Sequence, residues 1–366
     1  MNRMRILALF VLLVTGSSIL AAPPNYRVEF LPVPPGCQSY SLLHGLGEQD
    51  HIAGVLVCVG SAQRAVIWDR GVIAELGNFG GSSSFAYGLS PQGKVVGAAE
   101  TPEIYSDTDH VQRPFLWVDG TLHDLDTLGG PLGGAVAINA SGTIVGTCQP
   151  AHPDPRLGRL PYRACVWEND VVSDLGDLGG PDAFALDVNG RGWIVGSSNT
   201  TEPLPSGLGF AEHAFLFDGR TMRDLGTLGG LVSGAYSINE RGDAVGFSST
   251  EEPRPQTYPV IHAFLWRAGT LHDLGTLGAP FSEAFDINDR GQIVGWSLVR
   301  TANGGVDRRA VMWDGNRIID LNDVVPDSES WVFRQATAID EGGRMLVNAS
   351  QGSDWRIVVL IPRPQE

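Results

Sequence analysis

His262-Ala-Phe-Leu-Trp-Arg-Ala-Gly-Thr-Leu-His-Asp-Leu-Gly-Thr-Leu-Gly278, followed by Ala284-Phe-Asp-Ile-Asn-Asp-Arg-Gly-Gln-Ile-Val-Gly295, is one copy of a pattern that recurs along this 366-residue chain. The aromatic that closes its first element returns as Trp68, Trp117, Trp167, Phe217, Trp266 and Trp313, at intervals of 49, 50, 50, 49 and 47 residues. Seven residues after each comes an acid (Glu75, Asp124, Asp174, Asp224, Asp273, Asp320), and a leucine follows it every time. Twenty-two residues after the aromatic stands Ser90, Asn139, Asn189, Asn239 or Asn288, and twenty-nine after it stands Gly97, Gly146, Gly196, Gly246 or Gly295. The length changes fall between copies, as they must if the copies are rigid and the gaps are loops.

Each copy reads as four short strands. Strand A is the Phe-Leu-Trp element, apolar on successive residues and so buried on both faces. A tight turn such as Asp119-Gly120 leads to strand B, the Asp-Leu-Gly-Thr-Leu element. Strand C is typified by Ala135 to Asn139 and strand D by Thr143 to Gly146. Between C and D, Asn-x-x-Gly supplies a side chain that bonds its own turn and a glycine that brings the chain back. The chain ends on an A strand, Arg356 to Leu360, and its first strand is a B strand, Arg27 to Leu31. One end supplies what the other lacks, and pairing them removes two free sheet edges. The expected fold is therefore all-β: a seven-bladed β-propeller of four-stranded antiparallel blades, closed by pairing of the C-terminal strand with the N-terminal blade. Residues 23–366 form one domain, with a shared blade of 26–58 plus 355–362 and blades at 64–98, 113–148, 163–198, 213–248, 262–297 and 309–350.

Residues 1–22 read as a secretory signal peptide. Arg3 and Arg5 precede an apolar run from Ile6 to Val14, and Ala21-Ala22 ends in small residues. No other stretch has the apolar length of a membrane span. The net charge of −16 becomes −18 without Arg3 and Arg5, which excludes a basic nucleic-acid footprint. Glycine at 47 residues and charged residues at only 18% suit many strands and tight turns. The sequence points to a periplasmic or extracellular location. Cys37, Cys58, Cys148 and Cys165 then lie in an oxidising compartment, and no Cys-x-x-Cys suggests metal. Topology favours Cys37–Cys58 and Cys148–Cys165, each closing a short loop.

The series His-Ala-Phe-Leu-Trp, Asp-Leu-Gly-Thr-Leu-Gly-Gly, Ile-Asn-x-x-Gly-x-x-Val-Gly, clearest at His213 to Gly246 and His262 to Gly295, resembles the HAF extracellular repeat family of bacteria. The similarity spans essentially the whole chain after residue 22. It implies export and repetition and carries over no catalytic residue. The copies at 64–97 and 163–196 depart at the motif's His and Phe. The last copy departs most, with an insertion at Asn322 to Ser330 and Asn348 in place of the glycine.

A residue repeated in every unit is expected to be structural, because a catalytic centre needs one place. The acids Asp124, Asp174, Asp224 and Asp273 fall under that rule. A second repeated position is basic: Arg64, Arg113, Arg163, His213, His262, Arg309 and Arg356. If strand A were innermost, these side chains would ring one mouth of the channel and attract an anionic ligand; otherwise each holds a neighbouring acid or backbone group. The D–A connections (98–112, 149–162, 199–212, 249–261, 298–308) are long and mutually different, which makes their rim the expected binding face. His110, His152 and Asp154 lie in these loops without the spacing of a metal site. Asp323, Asp327 and Glu329 lack the spacing of a calcium loop. No cofactor is implied. The expected function is an exported binding or scaffold module for a protein or glycan, acting as a monomer. The alternatives are an extracellular polysaccharide-active hydrolase or lyase, and a purely structural envelope protein.

Overall fold

The computed structural model describes residues 25–40, 45–47, 50–60, 62–106, 109–155, 157–205, 209–250, 259–325 and 330–363, and among them every regular element is a β-strand. The signal peptide expected at 1–22 lies outside these residues. β1 (Tyr26–Phe30) stands at the N-terminal end. The next four strands form one antiparallel sheet: β2 (Cys37–Tyr40), β3 (His51–Cys58), β4 (Gln63–Asp69) and β5 (Val72–Glu75). The same plan repeats in β6 (Ser84–Leu89), β7 (Val95–Ile104), β8 (His110–Val118) and β9 (Thr121–Asp124). It continues in β10 (Gly129–Ile138), β11 (Ile144–Pro150), β12 (Arg163–Glu168) and β13 (Val171–Asp174). Next come β14 (Gly179–Val188), β15 (Ile194–Pro203), β16 (Phe210–Phe217) and β17 (Met222–Gly226). They are followed by β18 (Ser233–Ile238), β19 (Ala244–Ser249), β20 (Ile261–Arg267) and β21 (Thr270–Asp273). β22 (Gly278–Ile287), β23 (Ile293–Arg300), β24 (Val306–Asp314) and β25 (Arg317–Asp320) make the sixth set. The final set is β26 (Val332–Ile339), β27 (Met345–Gln351) and β28 (Asp354–Pro362), with β1 as its fourth strand.

These sheets correct the expected partition. A sheet runs C-D-A-B, not A-B-C-D, so strands 26–30 and 37–58 belong to different sheets. Strand B does not pair with the strand C that follows it; that link passes from one sheet to the next. Sequence repetition cannot set this phase, because a repeat can be cut at any point and still repeat. Burial reports the phase directly. The B strands β9, β13 and β21 are four residues long and mostly exposed, as suits an outer edge. The C strands β6, β10, β14, β18, β22 and β26 pack against one another in succession, so the inner edge of each sheet is its C strand.

β1 lies antiparallel to β28 with Val28 opposite Leu360 and Glu29 opposite Val359. The final sheet in turn packs on the first. Leu31, Ile52, Leu56 and Trp68 share a core with Leu346, Ile357 and Val359. Ile357 N donates to Ser39 Oγ at 3.2 Å, and Arg344 Nη1 bonds Asp50 Oδ1 at 2.6 Å.

The D-strand glycines are fixed by contact. A Cβ on Gly146, Gly196, Gly246 or Gly295 would sit 1.9–2.1 Å from the carbonyl oxygen of Gly134, Phe184, Gly234 or Glu283. A register shift in the C strand lies beside each of them. In the last sheet register puts Val347, not Asn348, at the glycine position, opposite Ala336 and between two register shifts.

Candidate functional site

The repeated polar residues are consumed in holding sheets together. Asn239 shows the pattern. Its Oδ1 accepts from Arg241 N and Asp243 N at 3.0 and 2.9 Å, which closes the C–D turn, and its Nδ2 donates to Asn288 O in the next sheet at 3.2 Å. Asn139, Asn189 and Asn288 do the same toward Asn189, Asn239 and Asp340. The A-strand indoles act likewise: Trp68 Nε1 donates to Pro32 O at 2.8 Å and Trp313 Nε1 to Leu274 O at 3.0 Å. Such bonds satisfy buried polar groups and set the angle between neighbouring sheets.

The basic position has a similar fate. Arg64 Nη1 lies 2.6 Å from Glu75, and Arg163 Nη1 lies 2.6 Å from Asp177. His213 Nδ1 and His262 Nδ1 lie 2.8 Å from Asp224 and Asp273. Arg309 Nη2 is 3.1 Å from Asp307, and Arg356 Nη1 donates to Cys37 O at 2.9 Å. Arg113 makes no such bond among the described residues. All seven sit on or beside the third strand of a sheet, so the structure does not gather them at a channel mouth. Strand A is the third strand of each sheet, and the C strand, not strand A, is innermost.

Cys37–Cys58 and Cys148–Cys165 are both disulfide-bonded. The first pair joins directly opposed residues of β2 and β3; the second staples β11 to β12. Among the described residues no group of three His, Cys, Asp or Glu is arranged to hold a metal. His110 Nδ1 lies 3.0 Å from Thr101 O, and Asp154 bridges to Arg159. His152 and Asp323 are drawn into no such group, and Asp327 and Glu329 lie outside the described residues.

What repetition does not explain is a cluster on the inner strands. Seven register-equivalent C–D pairs are Tyr40–Val55, Phe85–Ala98, Gly134–Thr147, Phe184–Ser197, Gly234–Phe247, Glu283–Trp296 and Gln335–Asn348. Glu283 is the only acid in that set and Trp296 the only indole. Trp296 Nε1 donates to Glu283 Oε2 at 3.3 Å, and the Arg308 guanidinium lies 4.0 Å from the Trp296 ring centroid. Arg308 Nη1 also donates to Gln335 Oε1 at 3.2 Å. Arg334, from the next sheet, bonds Asp307 and Ser350 Oγ. Tyr236 packs its ring on Phe247 and Phe285, with centroids 5.4 and 5.1 Å away. Burial pushes the Glu283 carboxyl up, against the opposing pull of the Trp296 bond and the Arg308 charge. Burial also raises the Tyr236 phenol, helped by the charges of Glu283 and Glu212. Repetition carries no signal for this cluster, because its residues do not recur from copy to copy. A comparison of the copies one position at a time would have exposed Glu283 and Trp296 as singular.

No protein-family model and no curated protein matches the chain. Likeness to solved structures is at the level of fold. A puromycin-hydrolysing peptidase of Mycobacterium tuberculosis is 13% identical, with a TM-score of 0.51; the match covers 92% of this chain and 51% of that one, so the chain spans about half the peptidase's length. The β-propeller domain of the Trilobed protease from Pyrococcus furiosus is also 13% identical, at a TM-score of 0.39 over 90% of this chain and 84% of that one. A Trypanosoma rangeli sialidase is 9% identical, at 0.42 over 88% and 54%. The class is set by the chain's own geometry: an all-β assembly of four-stranded antiparallel sheets, set inner edge to inner edge in the manner of a β-propeller.

Proposed function

We propose that this chain is an exported binding or scaffold module, a monomeric seven-bladed β-propeller of the HAF extracellular repeat type, with its partner surface on the rim that carries the D–A connections. The β1–β28 pairing supports closure of the ring, and the two disulfides suit an oxidising, exported environment. No described helix is long and apolar enough to cross a membrane.

One observation carries the proposal. The recurring polar residues are spent between and within sheets, while the D–A connections differ in length and build. Some project as extended hairpins, such as Glu100–Ile104 with His110–Gln112, and Asn199–Pro203 with Phe210–Glu212. Ile104 at one tip is 66% exposed. A rigid scaffold bearing unlike loops on one face is the usual plan of a recognition surface. The test is capture of extracellular proteins and glycans by the purified chain, beside a variant with residues 100–112 shortened to a two-residue turn and the double variant Arg113→Ala/Arg163→Ala. The expected result is loss of capture on shortening, with melting unchanged. Capture indifferent to every D–A connection would reject the rim as the binding face.

A second reading, a polysaccharide-active hydrolase or lyase, is favoured by Glu283 and Tyr236. A carboxyl raised by burial beside a phenol is chemically suited to proton transfer. Product release from oligosaccharides, lost in Glu283→Gln, is the signature to look for.

A further inference from the structure

Resting on the rim reading, we infer that the inner-strand cluster of Tyr236, Glu283 and Trp296 is a saccharide-binding subsite for a hydroxyl-bearing sugar ring. Arg308 is used twice, over the Trp296 ring and on Gln335, and Arg334 is held by Asp307 and Ser350. The net charge of −16 opposes an anionic ligand. Glu283 is held through Oε2 by the Trp296 indole, and its other oxygen accepts no bond within the described chain. The Tyr236 hydroxyl is equally without a partner there. Both groups retain some exposure to solvent.

These two open polar sites stand beside the aromatic faces of Tyr236, Phe247 and Phe285. A sugar ring presents that combination in reverse: hydroxyls around its edge and C–H bonds on its face. Burial matters here because a carboxylate that loses its water and gains no partner costs free energy, and a ligand hydroxyl would supply that partner. The non-repetition of Glu283 and Trp296 locates the site in one sector of the molecule, where a single ligand can be held.

The experiment applies the full chain to a printed panel of neutral, amino and uronic oligosaccharides, including cellohexaose, chitohexaose, galactan and alginate fragments, followed by calorimetry on those retained. Glu283→Gln keeps the shape and loses the charge, and Tyr236→Phe keeps the ring and loses the hydroxyl. Each is expected to weaken binding about tenfold or more, the usual effect of losing a bond to a buried polar group. Melting curves identify any variant that fails to fold, and the second variant then decides. Retention unaffected by both variants but lost on shortening residues 100–112 would overturn this inference and leave the rim reading standing. No retained oligosaccharide, with protein capture intact, would overturn it too. Failure to retain either class of ligand would overturn both.

Discussion

Asn239 illustrates how one repeated side chain serves two structures at once. Its oxygen closes its own turn and its amide reaches the next sheet. Asn239→Ala should therefore lower stability by about 2 kcal/mol in urea unfolding, more than a solvent-exposed turn change would. A loss below a few tenths of a kcal/mol would show the inter-sheet bond to be idle. The turn role was legible from Asn-x-x-Gly alone; the inter-sheet role was not, because its partner lies about fifty residues away with no local signal. Glu283 gives a pH test. Its folded-state pKa is raised above the ordinary 4.5, so its contribution to stability is full below that value and is lost as pH rises through the folded pKa. Glu283→Gln should then melt above wild type near about pH 8, with the advantage shrinking near about pH 4. An advantage that grows on acidification would contradict the assignment.

At the level of elements, the D strand explains why its glycine recurs. In Gly246→Ala the new Cβ would fall 1.9 Å from Gly234 O, a backbone atom that cannot move aside. This substitution should cost more than about 3 kcal/mol or abolish soluble expression, while Gly120→Ala, in open space but at positive φ, should cost about 1 kcal/mol. Equal melting of the two variants would count against the close approach. The Cys148–Cys165 link, fully buried across β11 and β12, should contribute about 3 kcal/mol, read as the loss in the double alanine variant. Strand existence was legible from apolar runs and turn residues, since both depend on local chemistry. Strand partnership was not: the B–C and D–A links both carry glycine and polar residues, and only burial separates a hairpin from a passage between sheets. That single missing fact places the basic residues on the third strand, where acids of the outer strand face Arg64, His213 and His262.

For the whole molecule, the proposed ring depends on two ends of the chain lying in one sheet. Removing residues from Asp354 onward would bare the edges of β27 and β1 and uncover the core that Ile357 and Val359 share with Trp68. The truncated chain should aggregate in gel filtration, and a monomer with unchanged melting would contradict closure. The most direct measurement is amide hydrogen exchange of Arg27 to Phe30 in the intact and truncated chains. Closure requires slow exchange of the β1 amides paired to β28 in the intact protein, lost when β28 is removed. Fast exchange across all of β1 in the intact protein would mean that the first strand is not part of the last sheet.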